Sequence, residues 1–295
     1  MFFVLSSGRS GSQTIASTLD GYGNCVCTHH REPELVIEAT QYYYGEYSEN
    51  EIAKVLSDTR TKDSQNKIYG DVNLQYSLIM PIIEQVFPDA KYIWLIRDGR
   101  DVVSSMYYRR WYDPEDLKVP DEWKKARLHG DRTGDFSTSE WQAMSRFAKC
   151  CWLWKKYNLI IESHLRRLDQ KRWMGVRLDR LKVTLPNIAK FLGLIDTRKV
   201  MVEKLNVAYQ AVTYWEGWNT EERKIFESIC GEVMDKWFPE WRDGDGNWQR
   251  INSEAPDKAG LLICLKRQIM SLPLKARFKA GDLKRRILHR HGTAG

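Results

Sequence analysis

The amino-acid sequence predicts an α/β fold: a central parallel sheet flanked by helices, followed by a helix-rich second half. Three observations lead to it. Short apolar runs alternate with helical patterns over the first hundred residues, as in βαβ units around a parallel sheet. One of those runs, KYIWLIR at Lys91–Arg97, reads plainly as a buried strand. From Asp101 onward the apolar spacing becomes mostly helical.

The elements follow in order. Phe2–Ser6 and Asn24–Thr28 read as strands, Lys67–Gly70 as a weaker third, and Arg172–Leu178 as the last. Apolar residues recur at helical spacing over Ser12–Leu19 and Leu74–Val86, and Phe87-Pro88-Asp89-Ala90 supplies a turn before the strong strand. Trp141–Leu168 reads as one long amphipathic helix, and Leu185–Phe191 and Glu221–Trp237 as helices packed on the sheet. Asp113–Thr138 is polar, holds two prolines and two glycines, and resembles a long loop or lid.

A chain of 295 residues with 42% hydrophobic and 29% charged residues is ordinary globular material with length enough for a sizeable core. The net charge of +7 is local. Residues 260–295 hold nine Lys and Arg against the single acid Asp282, so the rest is close to neutral. The expected organisation is one domain over 1–258 and a basic tail over 259–295. That tail is expected to be dispensable for chemistry, with packing on the core or weak contact with an anionic membrane surface both open to it. A nucleic-acid partner does not fit this distribution of charge.

Cys25, Cys27, Cys150, Cys151, Cys230 and Cys264 form neither a CxxC pair nor a His-linked zinc spacing, which points to buried thiols and no metal site. No apolar run is long enough to span a bilayer. Met1–Leu5 is too short for a signal-peptide core, so the expected location is cytoplasmic.

Chemistry concentrates at two junctions. Gly8-Arg9-Ser10-Gly11-Ser12-Gln13-Thr14 follows the first strand and opens a helix. Glycines there let backbone close on a ligand, N–H groups at a helix start bind anions, and Arg9 offers a guanidinium fork. A tight turn with a capping serine is the plain alternative for the same residues. A nucleotide triphosphatase needs GxxxxGK[ST], whereas here Gly11 directly precedes Ser12 and no lysine intervenes. At the second junction, Arg97-Asp98-Gly99-Arg100-Asp101, a strand ends and a helix begins, which sets Ser105 on the second helical turn. Arg97 and Ser105 can then converge on one phosphate, while Arg100 and Asp101 orient the turn or pair with each other. Taken alone, that spacing also fits an ordinary helix-start ion pair.

Together the two segments resemble the sulfotransferase family that uses 3′-phosphoadenosine-5′-phosphosulfate. GRSGSQT is similar to its 5′-phosphosulfate loop, in the variant with arginine at the position of Arg9. RDGRDVVSS is similar to its 3′-phosphate motif, with Arg97 and Ser105 at the family spacing. FPDAKYIWLIRDGRDVV, CCWLWKKYN and VRLDRLKVTLPNIAKFLGL also read like family segments, so the resemblance runs over roughly residues 2–240. It implies a P-loop-like sheet and a donor site of Gly8, Arg9, Ser10, Gly11, Ser12, Gln13, Thr14, Arg97 and Ser105. It also implies transfer of a sulfuryl group to a hydroxyl without a metal. Two departures place the chain nearer the bacterial, tyrosyl-protein or carbohydrate-type members. Thr14 stands where the cytosolic aryl and steroid enzymes carry tryptophan, and there is no RKG tripeptide, the nearest substitutes being Arg242 and Arg250.

The segment Cys27–Glu34 follows the second strand, where the resemblance implies a catalytic carboxylate or imidazole. Strand alternation keeps adjacent His29 and His30 from pointing into one site. Pro33 biases Glu32 toward extended geometry, which makes Glu32 the expected base and His30 its rival. An exposed polar loop is the plain alternative. Asp71, after the third strand, either holds the acceptor or caps the next helix, with the cap favoured. Tyr42, Tyr43, Tyr44, Tyr47, Trp111 and Tyr112 either line an acceptor pocket or pack in the core, and a carbohydrate or natural-product hydroxyl is the favoured acceptor. Two other functions remain as alternatives: a P-loop-type nucleotide or small-molecule kinase, and a non-catalytic basic-tailed binding protein.

Overall fold

The computed structural model describes residues 1–62, 67–114, 121–195 and 214–251. The basic stretch 259–295, Cys264 and the expected boundary at residue 258 lie outside them. The chain divides into one unit of Met1–Leu205 with Trp215–Asn252 and another of Asn206–Tyr214 with Ser253–Gly295. The sheet and its helices belong to the first unit.

Five parallel strands build the sheet: β1 (Phe2–Leu5), β2 (Cys25–His29), β3 (Ile68–Val72), β4 (Lys91–Ile96) and β5 (Trp173–Arg177). Their order is β2-β3-β1-β4-β5, so β1 is central. Phe2 pairs with Gly70 on one side and Lys91 on the other. Each strand that alternates along its length feeds two cores, because successive side chains leave opposite faces. Phe3, Leu5, Tyr92, Trp94 and Ile96 join the larger core, and Phe2, Val4, Ile93 and Leu95 the smaller one.

Helices close both faces. They are α1 (Ser12–Asp20), α2 (Glu38–Tyr43), α3 (Glu49–Lys62), α4 (Met80–Val86), α5 (Gly99–Tyr108), α6 (Asp121–Lys125), α7 (Thr138–Ala143), α8 (Arg146–Leu165), α9 (Leu181–Leu192) and α10 (Thr220–Trp237). Ile15 and Leu19 of α1 and Ile188 and Leu192 of α9 fill the smaller core. Val102, Val103, Trp154, Ile161, Phe226 and Met234 bring α5, α8 and α10 onto the larger one. Among the described residues no helix is long and apolar enough to cross a membrane. Cys25, Cys27, Cys150, Cys151 and Cys230 are buried free thiols, and burial pushes those of Cys25 and Cys150 up to about 12.

Two expected helices are each broken in two. Leu74–Val86 is a 3-10 turn over Leu74–Leu78, then α4, because Asn73 caps the first piece and Pro81 has no N–H to continue it. Trp141–Leu168 is interrupted at Met144, which is extended, and Ser145 caps α8 by accepting from the Ala148 N–H at 3.2 Å. The loop after Asp113 carries α6 and ends in a capping box between Ser137 and Glu140.

The junction of β4 and α5 decides between the two expectations for Arg100 and Asp101. Arg100 and Asp101 do not pair with each other. Arg100 donates to Asp98 at 2.6 Å, while Asp101 takes Arg97 at 3.0 Å. Arg100 is fully buried, with its guanidinium 4.2 Å from the Trp215 ring and within 6 Å of Trp241 and Trp248. Asp98 also caps α5 by accepting from the Arg100 N–H at 2.9 Å. Truncating one partner of a buried, hydrogen-bonded ion pair strands the other charge. Arg100→Ala is therefore expected to destabilise the domain by about 3–5 kcal/mol, read as a lower urea midpoint; an unchanged midpoint would show that this pair does not support the junction.

Candidate functional site

The first loop runs from the end of β1 to the start of α1. Gly8, Arg9 and Gly11 all take positive φ, at 75°, 54° and 87°, which coils the backbone so that α1 begins abruptly at Ser12. Inside the loop Ser10 Oγ donates to the Gly8 carbonyl at 2.9 Å, and the Ser7 and Ser10 hydroxyls lie 3.2 Å apart. Gly11 occupies the N-cap position and makes no side-chain cap. The first backbone bond of α1 is Ile15 N–H to the Gly11 carbonyl, so the helix opens without a capping side chain over its first turn. A helix start of this kind carries partial positive charge, which favours a nearby anion.

The second junction meets this loop directly. Arg9 Nε donates to Ser105 Oγ at 3.2 Å, and Arg97 Nη1 donates to the Arg9 carbonyl at 3.1 Å. Arg97 Nη2 holds Asp101 at 3.0 Å. Arg9, Arg97 and Ser105, distant in sequence, thus form one half-buried cluster. Of the other loop residues, Ser10 and Thr14 are buried, Ser12 is half-buried and Gln13 is exposed.

The end of β2 reaches the same loop. Ser12 Oγ and His29 Nε2 are 2.8 Å apart. Burial, and then the neighbouring His30, lower the His29 pKa to about 4, so its imidazole is neutral near pH 7. Strand alternation does not separate the two histidines. His30 takes φ 58°, the strand ends there, and the rings lie 4.3 Å apart. His30 Nδ1 faces Glu34 Oε2 at 3.4 Å. Glu32 is exposed.

Asp71 is not the helix cap; Asn73 is, accepting from the Gln75 N–H at 3.0 Å. Asp71 is buried in β3 and accepts from Thr28 Oγ1 at 2.7 Å, Tyr76 OH at 2.6 Å and the Arg31 N–H at 3.4 Å. Burial raises its pKa against these donors. Sequence reasoning missed this anchor, although Thr28 and Asp71 stand directly opposite in the β2–β3 register.

Arg242 and Arg250 are engaged by carboxylates: Arg242 by Glu227 and Asp235 at 2.5 and 2.6 Å, Arg250 by Glu216 at 2.5 Å. Of the six aromatic candidates, Tyr44 and Tyr112 are tied to backbone. Tyr44 OH accepts from the His129 N–H at 2.7 Å, and Tyr112 OH donates to the Leu128 carbonyl at 2.5 Å. Trp111 reaches the first loop, with its ring 3.8 Å from where a Cβ on Gly8 would stand. The guanidinium of Arg127 lies 4.7 Å from the Trp111 ring centre.

Residues 26–128 match the sequence model described as the Sulfotransferase family. Over these residues the chain is similar to the sulfotransferase family. The matched span carries the β2 end, Asp71, Arg97 and Ser105, while the first loop precedes it. No curated protein matches the chain. Among solved structures, the chain is similar to the sulfotransferase domain from the curacin biosynthetic pathway, with 16% identity over 91% of this chain and 97% of that one and a TM-score of 0.42. It is similar to the sulfotransferase domain from the Synechococcus PCC 7002 olefin synthase, with 18% identity over 93% and 95% and a TM-score of 0.44. A mouse sulfotransferase complexed with PAP gives 17% identity over 96% and 82% and a TM-score of 0.39.

One residue of this candidate site is constrained twice. Gly11 has φ 87°, and a Cβ there would stand 2.6 Å from Leu178 Cδ1. Gly11→Ala is expected to cost more than about 1 kcal/mol of stability, measured by urea unfolding. Adding Leu178→Ala should return the steric part of that loss and leave the conformational part. Unchanged stability in Gly11→Ala would mean the loop is not held in this left-handed form.

Proposed function

We propose that this chain is a sulfotransferase that transfers a sulfuryl group from 3′-phosphoadenosine-5′-phosphosulfate to an acceptor hydroxyl, with a carbohydrate or natural product as the acceptor class. The observation that carries the reading is the reciprocal contact between the two junctions, Arg9 to Ser105 and Arg97 to the Arg9 carbonyl. It supports one donor site with an end for each phosphate. The residues present fit such a donor: a helix start at Ser12 without a side-chain cap, a backbone coiled by Gly8 and Gly11, two guanidinium groups and a hydroxyl.

When bound, the donor supplies the activated sulfuryl group and the leaving phosphate. Arg9 and the N–H groups of Gly11 and Ser12 hold negative charge at the first loop, where charge grows as the leaving bond breaks. Arg97 and Ser105 fix the opposite end of the nucleotide and so its orientation. The acceptor proton goes to a base at the mouth of β2. The sequence favours Glu32; the geometry favours His30, which is half-buried with Glu34 against its Nδ1, whereas Glu32 is exposed. A carboxylate beside Nδ1 keeps the proton on that nitrogen and leaves Nε2 to accept. Trp111, beside the loop, offers an aromatic surface to a sugar or natural-product acceptor.

Thermal stabilisation of the protein by 3′-phosphoadenosine-5′-phosphate, and not by ATP, is the expected binding result. Arg9→Ala should then lower turnover by about 10²–10³. His30→Gln should lower it by about 10² or more, and Glu32→Gln should retain most of it. Stabilisation by ATP alone would replace the donor, and a fully active Arg9→Ala variant would remove its central residue.

A further inference from the structure

The contact between Ser12 and His29 is not used by the proposed transfer. Ser12 is the first residue of α1, at the anion-binding end, and its Oγ lies 2.8 Å from His29 Nε2. A hydroxyl and an imidazole nitrogen can share a proton in either direction. With a neutral ring whose Nε2 is bare, Ser12 O–H must point at His29. With a protonated ring, Nε2–H donates to Ser12 Oγ, and the serine proton is released to point elsewhere. The direction of this hydrogen bond therefore decides whether Ser12 presents a lone pair or a proton to the loop.

We propose that His29 is a positioning residue for the donor: it takes up one proton as the donor's anionic group enters the first loop, turning Ser12 O–H toward that anion and adding a positive charge behind it. This rests on the proposed use of a phosphosulfate donor. The proton comes from solvent and is bound at His29 Nε2; no covalent bond changes.

The surroundings of His29 favour such uptake only when an anion arrives. The first turn of α1 holds no acidic residue. From the continuation of β2 comes His30, which faces Glu34 and lowers the His29 pKa. From β3 comes Asp71, whose carboxylate is committed to Thr28, Tyr76 and the Arg31 N–H. From the loop comes Arg9, whose Nε is turned to Ser105. In the free protein burial and His30 hold the His29 pKa at about 4, so the ring is neutral near pH 7. A phosphate at the α1 start supplies the missing opposite charge and raises that pKa.

The sign follows by linkage. A pKa that rises on binding makes affinity strongest below the free-state value and progressively weaker as pH climbs through the bound-state value. The slope approaches about tenfold per pH unit when one full proton is taken up. The ligand's phosphates also titrate near pH 6, so the comparison must be made between proteins. Calorimetry of 3′-phosphoadenosine-5′-phosphate binding from pH 5 to 8, in buffers of different ionisation enthalpy, counts protons for wild type, His29→Gln and Ser12→Ala. Wild type should take up about half a proton or more beyond both variants near pH 6, and its affinity should fall more steeply toward pH 8. Equal proton counts and parallel affinity curves in all three would overturn the proposal while leaving the donor reading intact. Failure of wild type to bind the nucleotide at any pH would instead remove the donor reading, and this proposal with it.

Discussion

The hydrogen bonds between Arg9 and the β4–α5 junction hold the site together. Arg9 gives its guanidinium to Ser105 and its carbonyl to Arg97. A carbonyl that must accept from Arg97 cannot follow ordinary extended geometry off β1, and Arg9 sits at φ 54° between two left-handed glycines. The contact thus fixes backbone and side chain of one residue at once. It also fixes where α1 begins, and through Ser12 where His29 rests. β1 and β4 are neighbours in register, which places the two loops side by side before any side chain contributes.

The turn at the end of β4 divides its two arginines by chemistry. Arg97 leaves the strand at the edge where the first loop begins and is half-buried, shared between a carbonyl and Asp101. Arg100, three residues on, is swallowed by Trp215, Trp241 and Trp248, with Asp98 supplying both its counter-charge and the helix cap. A weakly hydrated guanidinium tolerates such burial where an ammonium does not. The outcome is a rigid base for α5, whose second turn presents Ser105. The buried pair positions; the half-buried one remains able to meet a ligand.

Much of this was legible in the sequence. All five strands fall at the expected places, and β1 and β4, buried almost throughout, leave the most continuous apolar signal. Arg9, Arg97 and Ser105 were legible because glycine spacing and strand-to-helix junctions constrain where such residues end up. The missed parts need tertiary knowledge. Leu74–Val86 and Trp141–Leu168 have helical periodicity throughout, yet Pro81 brings no N–H to the first and Ser145 takes a backbone N–H in the second and restarts the helix. Asp71 looked like a cap because its neighbour Asn73 is one; only the β2–β3 register brings Thr28 to it. The rule that alternating residues diverge failed at His29 and His30 because it holds only inside a strand, and His30 is already outside.

The backbone itself marks the same region. Among the described residues, positive φ in residues other than glycine occurs at Arg9, His30, Leu35, Arg110 and Tyr112. Each such conformation costs of order 1 kcal/mol or more unless its surroundings impose it. These five lie in three segments, and two observations connect the other segments to the first loop. His29 meets Ser12, and Trp111, held between Arg110 and Tyr112, meets Gly8. The constraints that impose them are visible: the His30 N–H donates to the Val72 carbonyl, the Trp111 N–H to the Met106 carbonyl, and the Tyr112 hydroxyl to Leu128. Strain at a turn remote from function is readily lost by substitution, because nothing rewards it. Strain in three segments accompanies the meeting of His29 with Ser12 and of Trp111 with Gly8 at one glycine-rich loop.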